Sequence, residues 1–114
     1  MLMEEPKFRT IVSTALKDLF RQLDTIDSDA FETRYTDGVL QVDFEGGGVF
    51  VLSQQVPVRE LWLSAFSRAW HFRYEDGSWR ERDTAEPLQA VLTGHFTRRL
   101  GFPVVVTNPG PAAG

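Results

Sequence analysis

Tyr35-Thr36-Asp37-Gly38-Val39-Leu40-Gln41-Val42-Asp43-Phe44-Glu45-Gly46-Gly47-Gly48-Val49-Phe50-Val51-Leu52 is the stretch that decides the fold. Asp37-Gly38 supplies a tight hairpin turn, because that turn needs positive φ at both central positions and these two residues tolerate it. From Val39 to Phe44, Leu40, Val42 and Phe44 alternate with Gln41 and Asp43, the period of a half-buried strand. Gly46-Gly47-Gly48 makes a second turn into the apolar run Val49-Phe50-Val51-Leu52. A phosphate-cradling loop would need Lys-Ser or Lys-Thr and a helix after the glycines, and neither follows. Successive tight hairpins build antiparallel sheet.

Outward from this stretch the same grammar continues. After Pro57, Leu61-Trp62-Leu63 begins another strand, and Trp70, Phe72 and Tyr74 alternate along the next. Glu75-Asp76-Gly77-Ser78 turns the chain again, into Trp79. Upstream, Phe8, Ile11, Val12, Ala15, Leu16, Leu19, Phe20 and Leu23 recur at spacings of three and four, which predicts an amphipathic helix from about Glu5 to Leu23 with Pro6 in its first turn. Asp24, Asp27 and Asp29 crowd the linker behind it. Downstream, Asp83-Thr84-Ala85-Glu86 has the form of a helix-capping box, Leu88, Val91, Leu92, Phe96 and Leu100 form the inner stripe of a second helix, and Gly101 ends it. The order helix, antiparallel strands, helix predicts an α+β two-layer sandwich with both terminal helices on one face of a sheet of five or six strands. One domain is expected over residues 1–107, followed by a flexible Pro/Gly/Ala tail at 108–114.

Composition narrows the function. The 114 residues suit one domain, and 42% hydrophobic with 25% charged residues is the balance of a globular chain, not a disordered one. With no cysteine, disulfides, thiolate metal sites and cysteine nucleophiles are excluded. The start, Met-Leu-Met-Glu-Glu-Pro, carries acids where a leader would need bases and an apolar run, and no stretch approaches the roughly 18 apolar residues of a membrane helix, so a cytoplasmic location is expected. Residues 1–48 hold ten acids and five bases, and residues 49–114 hold six acids and seven arginines, so the net −4 comes from an acidic first part. An acidic face disfavours nucleic acid and suits cations or a basic protein surface.

If both helices cover one face of the sheet, the other face meets solvent. With Leu40, Val42, Phe44, Leu61, Leu63, Trp70, Phe72 and Tyr74 turned to the helices, alternation sends Gln41, Asp43, Trp62, His71 and Arg73 outward. An outward indole is either packed against cross-strand neighbours or an anchor for recognition. His95, beside the Leu92/Phe96 stripe, reads as a boundary residue, with metal ligand the lesser alternative because no second histidine is near it in sequence.

The segment Ser53-Gln54-Gln55-Val56-Pro57-Val58-Arg59-Glu60-Leu61-Trp62-Leu63-Ser64 resembles the signature of the frataxin/CyaY family, a Gln-x-Pro stretch before an aliphatic-Trp-Leu strand. Trp70-His71-Phe72 is similar to the aromatic-His-Phe of bacterial members, Gly38-Val39-Leu40 to the first hairpin, and Gly77-Ser78-Trp79 to the later turn and strand. The match runs in consistent order over roughly residues 8–104.

The resemblance implies a frataxin-like sandwich and an accessory role in iron–sulfur cluster assembly. It implies weak binding of iron, ferrous or ferric, without an organic cofactor. It also implies contact with a cysteine desulfurase and with the iron–sulfur scaffold protein, by a monomer. Gln55 and Trp62 match the family's partner-contacting glutamine and tryptophan, and His71 falls where the family places a basic or histidine contact. Candidates for the family's acidic ridge are Asp18, Asp24, Asp27, Asp29, Glu32, Asp43 and Glu45, with Lys17 and Arg21 interrupting it. Oxygen-only carboxylates suit hard cations, and acids spread over a surface leave water to complete the coordination sphere. The alternative for this run is a solvated acidic face. Two further functions stand beside the interaction module. A ferroxidase or other enzyme lacks a visible nucleophile–base pair and any Glu-x-x-His. A small acidic chaperone would need an exposed apolar dimer surface.

Overall fold

The computed structural model describes residues 2–26 and 29–110. Helix α1 spans Glu5–Asp24, strands β1 to β6 span Phe31–Thr36, Val39–Phe44, Val49–Gln55, Glu60–Ala65, Arg68–Glu75 and Ser78–Glu81, and helix α2 spans Leu88–Leu100. The six strands form one antiparallel sheet in sequence order. The expected α+β sandwich is thus the observed architecture, with six strands.

Both Asp-Gly turns work as their chemistry requires. Asp37 and Gly38 have φ of 51° and 76°, and Asp76 and Gly77 have 49° and 82°. These are left-handed values that match the strand twist. The turn at Gly46-Gly47-Gly48 is a plain hairpin, closed by Arg99 of α2, whose Nη2 donates to the carbonyls of Glu45 (2.9 Å) and Gly47 (2.8 Å).

One face of the sheet is apolar and covered. Leu40, Val42, Phe44, Phe50, Leu52, Leu61, Leu63, Phe72 and Trp79 form a single core with Phe8, Val12, Leu16, Leu19 and Leu23 of α1 and Leu88, Val91, Leu92 and Phe96 of α2. Aromatic edges knit the layers: Phe8 meets Trp79 at 6.1 Å and Phe96 meets Phe50 at 5.3 Å. Each such fully buried side chain contributes about 1.5–3 kcal/mol. Trp70 and Tyr74 are half-buried on this same side, against His95 and Trp79.

The second helix starts later than the capping pattern predicts. Its N-cap position is Pro87, and Asp83 caps nothing. Glu81 turns inward instead, and its Oε1 accepts the N–H groups of Asp83 and Thr84 at 2.7 and 3.2 Å. The Thr84 hydroxyl accepts from Glu86 N, which winds residues 81–86 into a loop around one buried carboxylate. The other end is as expected: Gly101 takes φ 80° and its N–H closes on Thr97 O at 2.9 Å.

After α2 the chain returns as a strap without helix or strand. Val104 and Val106 enter the core, while Thr97 and Thr93 hydroxyls accept from their N–H groups. Thr107 and Gln22 exchange two hydrogen bonds, Asn108 Nδ2 donates to Gly77 O, and Gly110 N donates to Asp18 Oδ2. Residues 108–110, expected as loose tail, are therefore tied to α1 and to the β5–β6 hairpin, and residues 111–114 lie outside the described residues.

Candidate functional site: the open face of the sheet

The β3–β4 connection sets up this face. Val56–Val58 makes one 3-10 turn, and Arg59 then takes a left-handed φ of 54° that reverses the chain into β4. The Arg59 side chain fixes the reversal by donating to Met3 O at 2.9 Å and to Val56 O. Gln55 then pairs with Glu60, and Trp62 sits between Ser53 and His71.

Trp62 is half-buried on the face away from the helices. Its ring meets His71 edge-on, with centroids 4.8 Å apart and planes at 82°. Its indole Nε1 donates to Glu60 Oε1 at 2.8 Å. Gln55 Nε2 donates to Ser53 Oγ at 3.2 Å, beside Trp62. The structure therefore gathers Gln55, Trp62 and His71 on one surface. Of the two sequence alternatives for Trp62, cross-strand packing is present in the contact with His71, and the ring stays partly exposed.

The sequence reading passed over Glu60. It lies two residues before Trp62, hence on the same sheet face, yet its side chain is only 2% exposed. Arg73 Nε donates to its Oε2 at 3.0 Å, and Arg82 Nη1 to its Oε1 at 3.1 Å. Burial pushes its pKa up, but hydrogen bonds from Trp62 and Arg73 and the charges of Arg82 and Arg73 prevail and hold it below the ordinary carboxylate value. The signal that could have found it is the pair of outward arginines, which need a counter-charge between them.

The acidic residues divide. Asp18 is buried: its carboxylate accepts from Arg21, from Gln22 Nε2 at 3.0 Å and from Gly110 N at 3.2 Å, because the returning strap covers it. Asp24 and Glu32 share one shallow depression, and Asp29, Glu32, Asp43 and Glu45 line another of about 360 Å³. Glu32 and Asp43 face each other across β1 and β2. Asp43 is tied to Gln41 at 3.0 Å and to Arg34 at 2.8 Å, and these bonds hold its pKa below the usual range despite some burial. Asp27 lies outside the described residues. Among the described residues no three acid or histidine side chains come close enough to hold a metal ion together. The depression thus presents Glu32 and Asp43 as a facing pair, with no third acid or histidine among the described residues closing around one point. No helix among the described residues is long and apolar enough to cross a membrane.

Comparison with known proteins agrees with this fold. A family model described as a frataxin-like domain matches residues 1–102. The chain is 32% identical over 104 residues to the iron-sulfur cluster assembly protein CyaY of Paraburkholderia phymatum, covering 91% of this chain and 98% of that one. It is 30% identical to the protein of the same name from Burkholderia mallei, covering 90% and 96%. The solved frataxin of Psychromonas ingrahamii superposes with a TM-score of 0.75 at 16% identity, over 93% of this chain and all of that one. That last likeness is one of fold.

Proposed function

The chain belongs to the frataxin-like family, and from that premise we propose that it is an accessory protein of iron–sulfur cluster assembly that acts by binding, in the cytoplasm and as a monomer. In this reading the open sheet face around Gln55, Trp62 and His71 meets the scaffold protein. The acidic margin of Asp24, Asp27, Asp29, Glu32, Asp43 and Glu45 meets a basic patch on the cysteine desulfurase. Asp18, enclosed by the strap, is part of the fold and not of that margin. Iron is cargo, held weakly through water by the exposed carboxylates.

The observation that carries the reading is Trp62, an indole left accessible on a polar face and locked there by Glu60 and His71. Tryptophan held rigid at a surface is the residue type that dominates interface energetics. The test is recovery of a cysteine desulfurase and a cluster scaffold by the tagged chain, repeated with Trp62→Arg. Loss of the scaffold by the variant, with the desulfurase still recovered, is the expected result. Equal recovery by the variant would remove Trp62 from the contact.

A further inference from the structure

Beside Trp62 the sheet face turns basic. Arg73 on β5 and Arg80 on β6 are directly opposed in register. Arg82 continues the row, its backbone N–H on His71 O at 2.9 Å and its side chain on Glu60. Like charges directly opposed across two strands work against the sheet. Among the described residues one buried carboxylate, Glu60, lies beneath Arg73 and Arg82; Asp83 approaches Arg82 only at 3.9 Å, and Glu75 pairs with none of them.

The guanidiniums are also left with free donors. Arg73 uses only Nε on Glu60, and its side chain is 55% exposed. Arg82 uses one terminal nitrogen on Glu60, and exposed Arg80 uses one on Ala85 O at 3.1 Å. Glu60 therefore holds Arg73 through Nε and Arg82 through one terminal nitrogen, and each of the three guanidiniums keeps further N–H groups that can take a carboxylate in two parallel hydrogen bonds.

We propose that Arg73, Arg80 and Arg82 form a docking strip for a carboxylate-rich segment of a protein partner, which crosses β5 and β6 with an apolar side chain against Trp62. The proposal rests on the reading of this face as a contact surface and adds the chemistry of what meets it. Charge complementarity selects the occupant. The strip fits a short acidic segment, whereas a nucleic-acid backbone running on across the same sheet would meet Glu32, Asp43 and Glu45 on the opposite margin. The face is thus polar along its width, acidic at β1–β2 and basic at β5–β6, which fixes the direction in which a partner lies.

The test is an amide and indole NMR titration of the full chain at low salt with a decaglutamate peptide. The peptide is expected to shift the amides of residues 71–82 and the Trp62 indole. Its affinity should fall at least tenfold in the double variant Arg73→Glu/Arg80→Glu, and less than twofold in the charge-matched Arg9→Glu/Arg98→Glu. Because Arg73 is bonded to Glu60, Arg80→Glu alone, which loses only a loop hydrogen bond, repeats the test with at least a threefold loss expected. No shift at the strip, equal losses in both double variants, or tighter binding of a ten-residue oligothymidylate to the strip would overturn the proposal. Recovery of the assembly partners by the unaltered chain does not depend on the peptide, so failure here leaves the functional reading standing, and failure there leaves this strip to be judged on its own.

Discussion

The indole N–H of Trp62 is held by the carboxylate of Glu60, two residues earlier on the same strand and on the same face, at 2.8 Å. This bond removes rotamer freedom from the ring before any partner arrives. The same carboxylate gathers Arg73 and Arg82, so one buried charge orients the indole and two cations together. Preorganisation of this kind lowers the entropy lost on binding.

Glu60→Gln should destabilise the free protein at neutral pH by about 1–3 kcal/mol, the range for a hydrogen-bonded buried charge, and toward the lower end because Arg73 and Arg82 are partly exposed. The folded-state pKa of Glu60 lies below the ordinary glutamate value of 4.5. Its contribution is therefore whole above that value and is lost as pH falls through the folded pKa. Urea unfolding at neutral and at acid pH should show the gap between wild type and variant shrinking in acid; a constant gap would contradict the account.

His95 gives a second pH dependence. Its Nε2 is buried without a hydrogen-bond partner among the described residues, and its ring packs on Trp70 at 4.3 Å and on Phe66 at 5.3 Å. Burial lowers its pKa, the charges of Arg98 and Arg68 lower it further, and Glu86 opposes them. The folded state favours the neutral ring, so stability should decline as pH drops below the ordinary histidine value of 6.5 toward the folded one. His95→Leu should flatten that decline between pH about 7 and 5.5 in thermal melts, and a slope unchanged in the variant would assign it elsewhere.

Leu19→Ala and Leu92→Ala should each destabilise by about 2–5 kcal/mol, since both side chains are enclosed in the core. Asp29→Ala, outside every helix and strand, should change stability by about 0.5 kcal/mol or less. Denaturant midpoints at constant slope measure all three.

Ferric or another trivalent ion should broaden amide signals near Asp24, Asp29, Glu32, Asp43 and Glu45, weakly and without one indispensable ligand. Replacing these carboxylates one at a time should weaken the effect stepwise. Broadening centred on His71 or His95 would contradict the carboxylate assignment.

Asp29→Lys with Glu32→Lys should weaken binding of the desulfurase strongly at low salt and less at high salt, because exposed charges are screened beyond about 8 Å at physiological ionic strength. A loss independent of salt would point to a packed contact at these residues instead.

The fold was legible wherever local chemistry decides structure. The Asp-Gly turns, the alternation of Val39–Phe44 and the stripes of both helices are short-range signals, and all of them stand in the structure. What escaped the reading depends on partners far along the chain. Asp83 looked like a cap because local pattern does not reveal that Glu81 takes its N–H. Asp18 sits at a ridge spacing on α1, but Gly110 returns across 92 residues to cover it. Glu60 drew no reading of its own, since its burial arises only when β5 and the residue after β6 bring in Arg73 and Arg82. Of the candidate site, the Gln55, Trp62 and His71 surface was legible from alternation and resemblance, and its anchoring was not.

The most direct measurement is Trp62→Ala, with affinity for the scaffold protein and thermal unfolding determined on the same samples at low and high salt. The variant should fold, with its core intact because the indole lies outside it. It should lose about 2 kcal/mol or more of binding free energy at every salt concentration, as a desolvated aromatic anchor does. A variant that binds as well as the wild type, or that unfolds, would contradict the claim that this open face is the surface by which the protein works.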